Sequence, residues 1–230
     1  MPELVGPRVL LRPLTVDDWE DWRDVRNRSR DWLEQWEPLP EHGSPDAVAE
    51  REAFRARCGA WERQRHFDSA HGFGLFVEGG RFAGEVSLGN VQRGPFQMGY
   101  IGYWIDRPLA GRGYVPEGVV LLMQHAFESL GLHRIEAAIV PRNAASIRVA
   151  QKVGMREEGL ALRFLQIRGV YEDHVRYAMT ADEWRETRED LMARVLRWGT
   201  TEQGGAGDSG DTGAAGSAGR RLPRSIRRRD

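Results

Sequence analysis

The sequence has one cysteine, no apolar run of membrane-spanning length and almost no net charge, and each absence removes a class of protein. Cys58 is the only cysteine in 230 residues, so no intrachain disulfide and no cysteine metal cage can form. No apolar run approaches the ~20 residues that a transmembrane helix needs. The first residues, Met1 to Pro7, lack the charged-then-apolar pattern of a secretory signal. A formal net charge of −1 gives no overall pull toward nucleic acid or an anionic membrane. These absences lead us to expect a cytoplasmic protein with no membrane partner. What is present is ordinary for a globular chain: 40% apolar and 29% charged residues, in a length that buries one full-sized core.

The chain reads in order as a mixed α/β pattern. Val9–Leu14 is a strand, and Thr15 followed by Asp17 and Asp18 has the chemistry of a helix start. Trp19, Trp22 and Val25 then share one face, and the helix can extend through Asp31–Glu37 to Pro38. Ser44-Pro45-Asp46 predicts a second helix, from Pro45 to about Gln64. Phe73–Val77 and Phe82–Leu88 form a hairpin around Glu78–Arg81, and Phe96–Asp106 is a longer strand. Next come a helix from Pro116 to Leu130 closed by Gly131, a strand over 134–140 and a short helix over 143–153. Strands over 160–167 and 170–179 and a helix over 182–197 complete the pattern. Composition shifts sharply after Trp198. Residues 1–198 are expected to be one domain, and residues 199–230 a disordered Gly/Ala/Ser-rich tail. The arginines at 220–229 offer a weak RNA or ribosome contact, set against the plainer reading of a solvated end.

The stretch from Ile101 through Gly111-Arg112-Gly113 to Glu117 is a strand, a glycine turn and an apolar helix start. Such a turn aims backbone N–H groups at one spot, and the helix adds the positive end of its dipole, which together make an anion site. No Lys-Ser/Thr pair follows the glycines, so the loop is not built for a metal-bound nucleoside triphosphate. The three-glycine dinucleotide fingerprint is also missing.

The order of elements and the loop Ala110-Gly111-Arg112-Gly113-Tyr114-Val115 resemble the GNAT acyltransferases, which acetylate amines from acetyl-CoA. Only Gly113 fits that family's loop strictly; Ala110 and Val115 depart from it. Four further stretches are similar to the RimJ/RimL branch of ribosomal-protein N-terminal acetyltransferases. They are residues 132–136, Asn143 with Ser146, residues 152–159 and residues 171–175. Residues 32–38 and 89–94 look like its RimJ side.

The resemblance implies a GNAT fold. That is a mixed central sheet of about seven strands, splayed between the fourth and fifth and flanked by helices. It implies acetyl-CoA as cosubstrate and no metal. Ala110 through Val115 would then hold the pyrophosphate, while Trp104, Ile105, Asn143 and Ser146 hold the pantetheine. The Ile105 N–H would polarise the thioester carbonyl, and Ser146 would return a proton to the departing thiolate. Trp32, Trp36, Glu85 and Tyr103 are the candidate acceptor-side residues.

The general base is not identifiable. Glu85, Glu117, Asp106 and Asp173 are the nearby carboxylates, and Leu165 stands where some RimL-type relatives are expected to carry a glutamate. His133 and His174 read as structural. The resulting expectation is transfer of acetyl to a protein N-terminus, an alanine of a ribosomal protein, by direct attack. A small-amine acetyltransferase and a CoA-sensing or RNA-associated binding module remain alternatives.

Overall fold

A computed structural model describes residues 3–201, with side chains as far as Val195. The tail expected from residue 199 lies almost wholly outside these residues. Eight strands form one sheet in the order β1-β2-β3-β4-β5-β6-β8-β7. They are β1 (Leu4–Val5), β2 (Leu10–Arg12), β3 (His71–Val77), β4 (Arg81–Gln92), β5 (Met98–Ile105), β6 (Arg134–Ile139), β7 (Arg156–Ile167) and β8 (Val170–Thr180). One more strand is present than the sequence suggests, because β1 is two residues long and too short to show a period. Every neighbouring pair is antiparallel except β5 and β6. The strand β6 is therefore parallel to its neighbour on one side only.

The β5–β6 pairing is brief. Met98, Gly99 and Tyr100 oppose Arg134, Ile135 and Glu136, and there the register stops. The rest of both strands diverges, which is the splay expected between what the sequence counts as strands four and five.

Alternating side chains divide the core between the two faces of the sheet. Leu75, Val86 and Ile101 pack with α4 (Tyr114–Gln124) and with Trp184 and Leu191 of α6 (Ala181–Thr201). Phe76 and Phe82 pack instead with Trp22 and Val25 of α1 (Trp19–Arg28) and Phe54 of α3 (Arg51–His66). Helix α4 is buried from Val115 through Met123, as a helix between sheet and outer layer must be.

Three helix boundaries differ from the sequence reading. Thr15 and Asp18 do form a capping box, but it opens a 3₁₀ turn at Val16–Asp18 from which α1 follows. The first helix also does not run through to Pro38. It breaks at Ser29, whose hydroxyl donates to Asp106 Oδ1 at 2.8 Å and accepts from Arg107 N at 3.1 Å; a short α2 (Arg30–Glu34) follows. The helix expected from Pro45 starts instead at Arg51. Asp46 is consumed by a turn, accepting from Val48 N through its side chain at 2.8 Å and from Glu50 N through its backbone at 2.8 Å. Turn and cap use the same residue types, so local sequence does not separate them. At its C-terminus α4 continues as a π turn over His125–Ser129, closed near Gly131 in the left-handed region.

Candidate active site

Two elements converge where β5 and β6 part: the loop after β5 and the N-terminus of α5 (Ala144–Lys152). After β5 the chain makes a 3₁₀ turn at Arg107–Leu109 and then passes through Gly111 and Gly113, with φ of +81° and +82°. A Cβ at Gly111 would meet nothing within 4 Å. The glycine is required there by backbone conformation and not by lack of room. Gly113 is the residue immediately before the first turn of α4. The unpaired N–H groups of that turn and the helix dipole therefore face the loop.

The loop is braced from behind by a residue 104 positions earlier in the chain. Arg8 Nη1 donates to the Arg112 carbonyl at 3.0 Å, and its guanidinium lies 5.2 Å from the Tyr114 ring centroid. The same side chain donates through Nε to Glu117 Oε2 at 2.9 Å. Glu117 Oε1 accepts from the backbone N–H of Arg8 at 2.8 Å and of Val9 at 3.1 Å. Glu117 is 0% exposed, so its carboxylate is a strut between the N-terminal segment and α4, and it is not a base. Removing the brace should loosen the loop. Arg8→Ala is expected to weaken CoA binding on the order of tenfold, about 1.4 kcal/mol, with kcat at saturating CoA preserved. Calorimetric titration with CoA checks the first outcome and steady-state rates the second.

On the opposite side Asn143 caps α5, its Oδ1 accepting from Ser146 N at 3.1 Å. Tyr103 reaches across from β5 and donates its hydroxyl to the Ser146 carbonyl at 3.0 Å. Burial drives the Tyr103 phenol well above its ordinary range, so the proton stays and the tie persists. Ser146 is thus held through both backbone groups.

These elements enclose a cleft of about 990 Å³. Ala110, Gly111, Gly113, Tyr114 and Val115 line it, as do Trp104, Ile105, Asn143 and Ser146. Trp32, Trp36, Glu85 and Tyr103 line it too. Arg112 is the exception. Its side chain is exposed and does not line the cleft, and its part in the loop is the carbonyl that Arg8 holds. Trp32 and Trp36 are half-buried wall residues and do not belong to either core cluster.

The carboxylates are accounted for by long-range partners. Asp106 is buried and accepts from Arg28, Ser29 and Arg81. Burial opposes its charge, yet the hydrogen bonds from Arg28 and Ser29 and the charges of Arg28 and Arg81 hold its pKa below the ordinary value. Asp173 accepts from Arg163 N at 2.8 Å and stands outside the cleft. Glu85, 6% exposed, accepts from Trp22 Nε1 and Arg57 Nη2, each at 2.5 Å. It lies opposite Trp104 in the β4–β5 register. His133, His174 and Leu165 do not line the cleft either, and His174 is buried against the Glu172 carbonyl.

Sequence reasoning missed Arg57, Trp61, Arg148 and Lys152, all of which line the cleft. A signal was available. Phe54, Arg57, Cys58 and Trp61 fall on one face of α3, and Ala145, Arg148, Val149 and Lys152 on one face of α5, both at i, i+3, i+4, i+7. Among the described residues no group of three His, Cys, Asp or Glu side chains could hold a metal ion. No helix among them is long and apolar enough to cross a membrane.

Comparison with known proteins adds the family. The profile of the Acetyltransferase (GNAT) domain matches residues 8–156. The chain is 37% identical over 172 residues to a probable N-acetyltransferase, YjcK, of Bacillus subtilis, covering 74% of this chain and 93% of that protein. It is 30% identical over 190 residues to the [Ribosomal protein uS5]-alanine N-acetyltransferase of Escherichia coli, covering 80% and 94%. Among solved structures it is similar to Mycobacterium smegmatis RimJ in complex with CoA-disulfide, with a TM-score of 0.75 at 30% identity over 86% of this chain and 91% of that one. The ribosomal-protein-S5-alanine acetyltransferase of Vibrio fischeri gives a TM-score of 0.72 at 28% identity over 80% and 99%.

Proposed function

Since the chain belongs to the GNAT acetyltransferase family, and is an N-acetyltransferase, we propose that its acceptor is the α-amino group of a protein N-terminus. We propose further that this is an alanine of a ribosomal protein of the S5 type. The observation that carries the reading is the cleft's extent: one cavity runs from the left-handed glycine loop, past Ser146, to Trp32 and Trp36. It has a donor end and, in Trp32, Trp36 and Trp61, an aromatic wall that suits a chain terminus. The relatives named as acetyltransferases of a ribosomal-protein alanine support the same acceptor class.

The donor is acetyl-CoA, which supplies the acetyl group as a reactive thioester. The residues present fit it. The loop amides and the α4 N-terminus suit a pyrophosphate, and the unpaired inner edges of β5 and β6 suit the amides of a pantetheine arm. In this assignment the Ala110–Val115 backbone grips the pyrophosphate, and Trp104, Asn143 and Ser146 position the arm. The Ile105 N–H donates to the carbonyl oxygen as charge develops there. The Ser146 hydroxyl returns a proton to the thiolate that leaves.

The amine attacks directly. The only thiol that could carry an acyl group is Cys58, which is absent from the cleft wall and whose pKa burial raises to about 11. An α-amino group has an unperturbed pKa near ~8, against ~10.4 for lysine. A weak base or a water chain therefore suffices, and no side-chain base is assigned. Glu85 faces the acceptor and accepts from its ammonium.

The test is an acceptor panel with acetyl-CoA. Ala-starting peptides matching ribosomal-protein N-termini should release CoA and gain one acetyl on the α-nitrogen by mass spectrometry. Turnover of polyamines or aminoglycosides with every peptide inert would overturn the acceptor assignment.

A further inference from the structure

A second cavity of about 300 Å³ lies behind the acceptor end of the cleft, against α3 and residues Pro13–Val16. Arg57, Trp61 and Glu85 line both spaces and form the wall between them. The Arg57 guanidinium is fixed in place: Nη2 donates to Glu85 Oε2 at 2.5 Å, and the group sits 5.3 Å from the Trp22 ring centroid and 6.0 Å from that of Trp61. Its other terminal nitrogen, Nη1, is buried and has no hydrogen-bond partner. An arginine keeps its charge and its donors under all ordinary conditions. A buried donor left unpaired beside a substrate cleft is costly unless something that binds there accepts from it.

We propose that Arg57 is a specificity-determining residue whose Nη1 donates to an oxygen of the acceptor, the partner it lacks within the protein. That oxygen is the carbonyl next to the amine that reacts. The inference rests on the acceptor reading above and deepens it. An α-amino amide carries its nitrogen and its carbonyl oxygen three bonds apart, on adjacent carbons. Glu85 and Arg57 present an acceptor and a donor as a joined pair, so the two sides match group for group. Glu85 also lies opposite Trp104, one residue before the Ile105 N–H, so an amine held by its carboxylate stands beside the reacting centre.

The same guanidinium selects against other amines. An amine with no neighbouring oxygen leaves Nη1 unpaired in the complex, and a site that must hydrogen-bond its substrate rejects an analogue lacking the partner strongly. A polyamine brings a second cation toward Arg57 and toward Arg55 and Arg65, which line the rear cavity with Glu62 and the Arg57-paired Glu85 as the opposing charges.

The experiment compares an Ala-starting hexapeptide with its isostere in which the first peptide bond is an (E)-alkene, so that shape is kept and the carbonyl oxygen is lost. Spermidine is the third acceptor. Wild-type kcat/KM should favour the peptide over the isostere by about 100-fold or more. Arg57→Gln should bring the two within a few-fold of each other through a raised KM for the peptide, with CoA affinity unchanged. Arg57→Lys keeps a charge beside Glu85, guarding against misfolding, but lacks the second nitrogen, and should lose the same preference. A wild-type enzyme active on the peptide yet indifferent to the isostere overturns this inference alone. So does retention of the preference by both variants. A wild-type enzyme inert on the peptide and active on spermidine overturns the acceptor reading and this inference together.

Discussion

Gly113→Glu should raise the dissociation constant for CoA on the order of 100-fold, about 2.7 kcal/mol, while the protein remains folded. Two effects add. The position has a φ of +82°, where any residue with a Cβ is strained by about 1–2 kcal/mol. A carboxylate there also faces the anion that the loop amides and the α4 N-terminus attract. Gly113→Ala separates the two, since it brings the strain without the charge. It should lower thermal stability about as much as the Glu variant and weaken CoA far less. Calorimetric titration and a melting curve on the same samples decide the matter. Equal CoA affinity in wild type and Gly113→Glu would remove this loop from the donor site.

The second large effect is kinetic. Ser146→Ala should lower kcat by about 10²-fold, the scale of a lost proton donor, with CoA affinity changed far less. The scaffold explains why the two can separate. The backbone of Ser146 is held by Asn143 Oδ1 and by the Tyr103 hydroxyl, and neither bond uses the serine side chain. Alanine therefore leaves the α5 N-terminus in place and removes only the hydroxyl proposed to meet the leaving thiolate. A donor that acts in the transition state reduces kcat and kcat/KM together. Acceptors with a slower chemical step make the loss easiest to read. An equal fall in kcat and in CoA affinity would make Ser146 a binding residue.

Much of the architecture could be read from the chain because its signals were local. The period of two in Phe73–Leu88, the glycine hairpin between those strands and the apolar run of α4 each lie within a few residues of one another. The glycine loop was legible for the same reason. What escaped depended on partners far away. Glu117 stands at a helix N-terminus, where any acid is favourable, and its role emerges only when Arg8 is placed behind it. Asp106 closes a strand and looked available for chemistry until Arg28 and Ser29 reached it. Arg57 sits on a helix face whose spacing is legible in the sequence, but that spacing does not tell a cleft wall from an ordinary amphipathic face, and the Glu85 contact does. The start of α3 was misplaced because Ser44-Pro45-Asp46 can cap a helix or close a turn. Here Asp46 closes the turn.

The brief contact between β5 and β6 also bears on how the molecule holds together. Three residue pairs join a block of five strands to a block of three, so the sheet has a seam in its interior as well as its two outer margins. Strand margins are usually protected because their free amides invite other chains. This seam lies inside the fold, where a pantetheine arm of suitable length can bridge it. A donor bound in the proposed position would act as mortar as well as reagent, coupling the melting of the two blocks. With acetyl-CoA bound, the two blocks would then melt as a more cohesive solid than without it.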